Sequence, residues 1–257
     1  MKKLALIGGS VDRSFSKIIH SKIANIVNQK ITYDLLSLDE NEFNFFMKTF
    51  KQSDYHGINV TMPYKEDVIP FLDGLTEKAS KICAVNTIYK VGNKLIGDNT
   101  DYYGFLALVQ STGIDFTNKK VLVLGTGGAA KAVKVVLDEL KAKPIYVSRK
   151  KKSDPFFSPI INYNAIPTDI DIIVNATPIG SLSNPESPLT LKQVSGKTVI
   201  DLVYLPKITK LMSFAAKAYS GRLMLMVQAI KADEKFFSKE IFYDQSMIDE
   251  VLEVIHE

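Results

Sequence analysis

Residues 120–131 read KVLVLGTGGAAK, and the spacing Gly125-x-Gly127-x-x-Ala130 suits the binding of a dinucleotide phosphate. Gly125 lets the chain bend sharply, Gly127 has no Cβ to hold an anion off the backbone, and Ala130 is small where the next helix must lie against the strand. Apolar residues recur at helical spacing over 129–140, so the free N–H groups of that helix's first turn would point at the anion. A site built for a free ribose 2′-hydroxyl places Asp or Glu about 20 residues further on. This chain has Arg149 near that point, followed by Lys150, Lys151 and Lys152. A guanidinium suits a 2′-phosphate, which points to NADP rather than NAD. Lys151 and Lys152 read as a solvated basic turn.

Other residues able to do chemistry stand near strand ends. Ser14 and Ser16 either cap a helix or face a polar substrate, and their spacing does not choose between the two. Lys65 follows Asn59-Val60-Thr61-Met62-Pro63-Tyr64, where Pro63 stops a strand and is tolerated in a first helical turn. A lysine there is ordinarily solvated and is disfavoured by the helix dipole, so another group must make the position worthwhile. Asp101 ends Gly97-Asp98-Asn99-Thr100-Asp101 ahead of a helix, the place of an N-cap. Asn86 and Thr87 interrupt an apolar strand with polar groups that need partners if buried, and Gln228 stands alone in another apolar run. His20, His56 and His256 lack ligand spacing such as H-E-x-x-H, so no metal is expected. His20, on an isoleucine-rich helix, reads as a packed or satisfied histidine.

Positioning these residues requires an alternating α/β frame. Strands are expected at 4–7, 32–36 and 57–61, with a helix bearing Ile18, Ile19, Ile23 and Ile26 on its apolar face and another over 40–51. Two short strands, 84–89 and 94–97, flank the turn Gly92-Asn93, and a helix spans 102–110. The glycine-turn half adds strands at 121–124, 144–148, 171–175 and 198–203, then a helix near 207–218. Met224 and Met226 read as core filler.

With 257 residues and 46% apolar content, two domains are expected. A net charge of +4, with no basic stripe and no interleaved aromatics, argues against nucleic acid. The single cysteine, Cys83, rules out an internal disulfide and fits a reducing compartment. After Lys2 and Lys3 only residues 4–7 are apolar before Gly8, too few for a signal peptide, and nothing approaches a membrane span. A cytoplasmic protein with a small-molecule partner is the expectation.

Several motifs share one order along nearly the whole chain. They are Ser14-Phe15-Ser16, Asn59-Val60-Thr61-Met62-Pro63-Tyr64-Lys65, Ala84-Val85-Asn86-Thr87 and Gly97-Asp98-Asn99-Thr100-Asp101. Then follow Gly125-Thr126-Gly127-Gly128-Ala129, Asn175-Ala176-Thr177-Pro178-Ile179-Gly180, Asp201-Leu202-Val203-Tyr204, and Met224-Leu225 with Gln228. In this order they resemble shikimate dehydrogenase. The resemblance implies reversible reduction of 3-dehydroshikimate to shikimate by NADPH, in the route to chorismate and the aromatic amino acids. It implies an N-terminal α/β substrate domain, residues 1–100 plus 224–257, and a Rossmann-like NADP-binding domain, residues 101–223, with a cleft between them.

In that resemblance Lys65 and Asp101 are the catalytic pair. An ammonium stabilises the charge that hydride transfer leaves on the carbonyl oxygen and supplies its proton, while a carboxylate orients the ammonium. Ser14, Ser16, Thr61, Asn86, Tyr204 and Gln228 would hold the substrate together with that pair. Gly125, Thr126, Gly127, Gly128, Ala129, Ser148, Arg149, Lys150, Leu202 and Leu223 would face the cofactor, as would Glu77. The chain departs from the family pattern with Arg13 for His, Lys17 for Pro, Ser148-Arg149-Lys150 for Asn-Arg-Thr, Cys83 for Gly, and Leu223 for a glycine whose backbone approaches the nicotinamide. The strand expected just before Leu223 is nearly absent from the pattern. A quinate/shikimate dehydrogenase and a non-catalytic NADP-sensing protein are the alternatives; retained Lys65, Asp101 and Gln228 argue against the sensor. A monomer or homodimer is expected.

Overall fold

In the computed structural model, which describes residues 1–149 and 153–255, the apolar runs of the N-terminal half become one mixed six-stranded sheet. Its strands are β1 (Lys2–Gly8), β2 (Ile31–Ser37), β3 (Tyr55–Val60), β4 (Gly74–Leu75), β5 (Thr87–Val91) and β6 (Lys94–Asp98), in the order β2-β1-β3-β5-β6-β4. β1 lies parallel to both β2 and β3, and β5 runs antiparallel to β3 and β6. Leu4, Ala5, Leu6 and Ile7 are all buried, as an uninterrupted apolar run requires when both sheet faces are covered.

Helix α1 (Ser16–Ile26) buries Ile19, His20, Ile23 and Ala24. Ile18, expected on that face, is 47% exposed. The buried stripe centres on Ile19 and Ile23, and a step of about 100° per residue carries Ile18 out of it. Helix α2 (Glu40–Phe50) starts in a capping box of Asp39 and Glu42 and buries Phe43, Met47 and Phe50 at the spacing of one face. Helix α3 (Glu77–Ile82) is capped by Thr76 and ends at Cys83 in the left-handed conformation, φ 55°. With six residues and two buried side chains, it is too short to show a period in the sequence.

The chain divides into two compact units, Met1–Tyr103 with the chain from Met226 on, and Gly104–Leu225. It passes from the first to the second within α4 (Asp101–Ser111).

In the second unit β7 (Lys120–Leu124), α5 (Gly128–Glu139), β8 (Lys143–Val147), β9 (Ile160–Ile161), β10 (Ile172–Asn175), α6 (Leu191–Val194), β11 (Thr198–Asp201), α7 (Lys210–Ser213) and β12 (Lys217–Ser220) follow in turn. The strands form a wholly parallel sheet, ordered β12-β11-β10-β7-β8-β9. The order turns back at β7 and β10, where doubly wound sheets bind ligands beyond their carboxyl ends. Leu122, Leu124, Val147, Ile173 and Val199 form its core with Leu211 of α7.

The last helices are α8 (Arg222–Phe237), within which the chain returns to the first unit, and α9 (Gln245–Leu252). The helix expected near 207–218 shrinks to the four residues of α7, and the strand expected to be nearly absent before Leu223 is present as β12. It pairs with β11 from Lys217 to Ser220 and is half-buried, so its polar ends hide the apolar run that a central strand would show. Met224 and Met226 are buried in α8. Among the described residues no helix is long and apolar enough to cross a membrane. Lys150, Lys151, Lys152 and His256 lie outside the described residues.

Candidate active site

Two neighbouring strands and the start of a helix bring the reactive side chains of the first unit together. β3 ends at Val60, and the chain continues through turns up to Val68, one of them closed by the Val68 N–H on the Tyr64 carbonyl, without the helix expected to start near Pro63. The dipole argument against Lys65 therefore falls away, because no helix starts there. The Val85 N–H donates to the Lys65 carbonyl at 2.7 Å and fixes its backbone. Its Nζ lies 2.6 Å from Asp101 Oδ2, with side-chain exposures of 16% and 11%. Asp101 is the first residue of α4, and its carboxylate is engaged by Lys65 and Asn86; the expected capping role is not what the side chain does. Asn86 Nδ2 donates to Asp101 Oδ1 at 2.9 Å.

Asn86 is itself held by several partners. Its Oδ1 accepts from the Thr100 N–H at 2.7 Å and from the hydroxyls of Thr87 and Thr100. Asn59 Nδ2 donates to the Asn86 carbonyl and to Thr87 Oγ1, and Tyr33 donates its hydroxyl to Asn59 Oδ1 at 2.7 Å. Burial holds the Tyr33 phenol well above its ordinary pKa, with Asp233 adding to the rise and a hydrogen bond with Ser16 opposing it. The phenol therefore stays protonated and remains a donor. Ser14 Oγ donates to Ser16 Oγ at 3.0 Å and accepts from the Ser16 N–H. One hydrogen-bonded chain thus runs from the two serines through Tyr33, Asn59 and Asn86 to Asp101 and Lys65. Neither serine caps α1: its N-cap is Phe15, which makes no side-chain cap bond.

The other expected substrate residues are more dispersed. Thr61 is half-buried after β3, and its N–H donates to Ile7. Gln228 is half-buried on α8. Glu77 is exposed at the start of α3 and pairs with Lys81. Tyr204 belongs to the second unit, just after β11, where burial raises its phenol pKa.

The strand, turn and helix of the second unit suit a pyrophosphate. Gly125 adopts φ +99°, and a Cβ there would lie 3.2 Å from the Ala176 carbonyl oxygen. A Cβ on Gly127 would meet nothing within 4 Å, so the space over the turn is open. Gly127 is also the N-cap of α5 and offers no side chain to its first N–H groups, which leaves those of Gly128, Ala129 and Ala130 to an anion. Thr126 is half-buried beside them. Ser148 is buried and Arg149 exposed just after β8, with the Arg149 charge acting on Tyr163. These residues fit a phosphorylated dinucleotide.

Asp201 braces the same end of that sheet. Its carboxylate accepts from Thr209 Oγ1 at 2.6 Å, Asn175 Nδ2 at 2.9 Å and the Val203 N–H at 3.1 Å, although burial still raises its pKa. Leu202, half-buried, follows it, and a Cβ on Gly221 would lie 2.4 Å from the Leu202 carbonyl oxygen. Only glycine lets the chain enter α8 there. Leu223 stands half-buried in the first turn of α8. Sequence reasoning gave no individual role to Asn59, Asp98, Thr100, Asn175 or Asp201. Their signal was faint: polar residues at the ends of apolar strands, where polarity ordinarily means exposure.

A parallel sheet with a glycine turn at its switch point, joined to a second α/β unit carrying a lysine–carboxylate pair, is the architecture of a two-domain nicotinamide-dependent oxidoreductase. Residues 6–88 match the shikimate dehydrogenase substrate binding domain. An NADP(+) shikimate dehydrogenase of Pelagibacter ubique is 35% identical over 246 residues, covering 90% of this chain and 92% of that relative. The chain belongs to the shikimate dehydrogenase family. The crystal structure of shikimate dehydrogenase 1 from Peptoclostridium difficile superposes with a TM-score of 0.88 at 31% identity, covering 99% of this chain and 97% of that one. The enzyme of Thermus thermophilus, solved in complex with NADP(H) and shikimate, gives 0.85 at 27% identity, covering 99% and 100%.

Proposed function

We propose that this chain catalyses the reversible reduction of 3-dehydroshikimate to shikimate with NADPH, in the route to chorismate and the aromatic amino acids. The observation that carries the proposal is the Lys65 ammonium held 2.6 Å from Asp101, whose other oxygen is held by Asn86. Bound NADPH supplies the hydride. Lys65 Nζ stabilises the charge that develops on the ketone oxygen and donates the proton that makes it a hydroxyl. Asp101 keeps the ammonium charged and aimed, and Asn86 keeps Asp101 aimed. Ser14, Ser16, Thr61, Gln228 and Tyr204 bind the ring hydroxyls and the carboxylate. Gly125, Thr126, Gly127, Gly128, Ala129, Ser148 and Arg149 hold the dinucleotide, with Leu202, Leu223 and Glu77 as further contacts. The family relationship and the Thermus thermophilus complex with NADP(H) and shikimate support this assignment.

A spectrophotometric assay of the purified protein with shikimate and with quinate, each offered NADP and NAD, tests it. Turnover is expected with shikimate and NADP; no turnover in any mixture would leave a nucleotide-binding protein without this chemistry. Arg149→Ala is expected to raise the KM for NADP by about 10- to 100-fold while kcat changes little, as loss of a charge-assisted phosphate contact does. Unchanged preference for NADP over NAD in that variant would remove the 2′-phosphate from Arg149.

A further inference from the structure

Asp98 is a carboxylate that the proposed chemistry does not use, and it is completely buried. Its Oδ1 accepts from Thr76 Oγ1 at 2.5 Å and from the Asn99 N–H at 2.8 Å. Its Oδ2 has no hydrogen bond and faces one ammonium, Lys235 Nζ of α8, at 3.4 Å. Burying a carboxylate is costly unless a charge compensates it, so the pair pulls α8 and the end of β6 together.

Both ends of this pair lead to the reactive residues. The Asp98 carbonyl accepts the Asn86 N–H at 3.1 Å, and two residues later the Thr100 N–H closes on Asn86 Oδ1. Residues 98–100 thus grip Asn86 from its backbone and from its side chain, and Asn86 holds Asp101. On α8, Lys235 lies seven residues beyond Gln228, about two turns along the same helix face.

We propose that the Asp98–Lys235 ion pair positions the catalytic carboxylate and Gln228 by setting the distance between α8 and the junction from β6 to α4 that carries Asp101. The proposal rests on the shikimate dehydrogenase reading of Asp101 and Gln228. Asp98 and Lys235 are positioning residues; neither is assigned a contact with substrate or cofactor. Thr76 and the Asn99 N–H would keep the loop end in place without the charge, but not against the helix.

Kinetics and crystallography of Lys235→Met, Asp98→Asn, the double variant and Lys235→Arg test this. Each neutralising single variant is expected to lower kcat/KM for shikimate by about 10- to 100-fold while leaving the KM for NADP within about twofold, the pattern of a displaced substrate-side group. The double variant should be no worse than the poorer single one, and Lys235→Arg should restore most of the activity. A folded Lys235→Met with wild-type kcat/KM, or single effects that multiply in the double variant, would overturn the pairing. If the wild-type protein does not turn over shikimate, the functional reading fails separately. The crystal structure of Lys235→Met then decides: Asn86 Nδ2 separated from Asp101 Oδ1 supports the proposal, and an unmoved contact refutes it.

Discussion

Lys65→Met is expected to lower kcat for shikimate oxidation by about 100- to 10,000-fold, the range over which positioned proton transfer accelerates reactions. Methionine keeps the length and most of the volume of the side chain, so the packing around Val85 and Asp101 should survive, although a buried Asp101 carboxylate without its ammonium should lower the thermal unfolding temperature. The KM for NADP should stay within about twofold, because the residues assigned to the dinucleotide, Glu77 apart, lie in the other unit. Asp101→Asn should also fall steeply, since an amide can face Asn86 but cannot hold an ammonium. Steady-state kinetics in both directions provide the check. A Lys65→Met enzyme with more than about a tenth of wild-type kcat would show that the proton comes from elsewhere.

His20→Leu is expected to destabilise the first unit by about 3–5 kcal/mol, the cost of leaving one member of a buried pair alone. His20 Nδ1 lies 2.8 Å from Asp233 Oδ1, both side chains are buried, and the imidazole stacks on Tyr33 at 4.8 Å. Burial raises the Asp233 pKa, and His20 opposes that rise. A carboxyl with a raised folded-state pKa contributes stability below its unfolded value and loses it as pH rises through the folded value. Without His20 the folded value climbs further, so the deficit should be larger at about pH 8 than at about pH 5. Urea unfolding at the two pH values measures this. Replacing Asp233 by leucine as well should recover much of the loss, because two apolar residues leave no charge behind. An equal deficit at both pH values would mean that lost packing dominates and the carboxylate does not.

The contrast between these two sites shows what the chain makes legible. The unit from β7 to α5 could be read from the sequence, because a four-residue apolar run, a glycine turn and a helical period are local patterns. Lys65 and Asp101 were nameable through the order of the motifs around them. Their contact was expected through the resemblance alone, since no local pattern shows a meeting of residues 36 apart that depends on the pairing of β3, β5 and β6. Residues 98–101 read as a polar loop, yet all four are buried, and their polarity serves one another and Asn86. His20 looked like a satisfied histidine, and nothing local could identify a partner 213 residues away. Edge strand β12 and helix α3 escaped detection because elements of four to six residues carry too few buried positions to establish a period.

The left-handed end of α3 has a practical corollary. A position with positive φ is where glycine sits most comfortably, and here the chain spends its sole thiol on it, facing solvent. A maleimide fluorophore or nitroxide would therefore attach at one defined place in the unmutated protein. Cys83 lies two residues before the amide that fastens the Lys65 backbone, so a label there would be attached beside that contact in the chain.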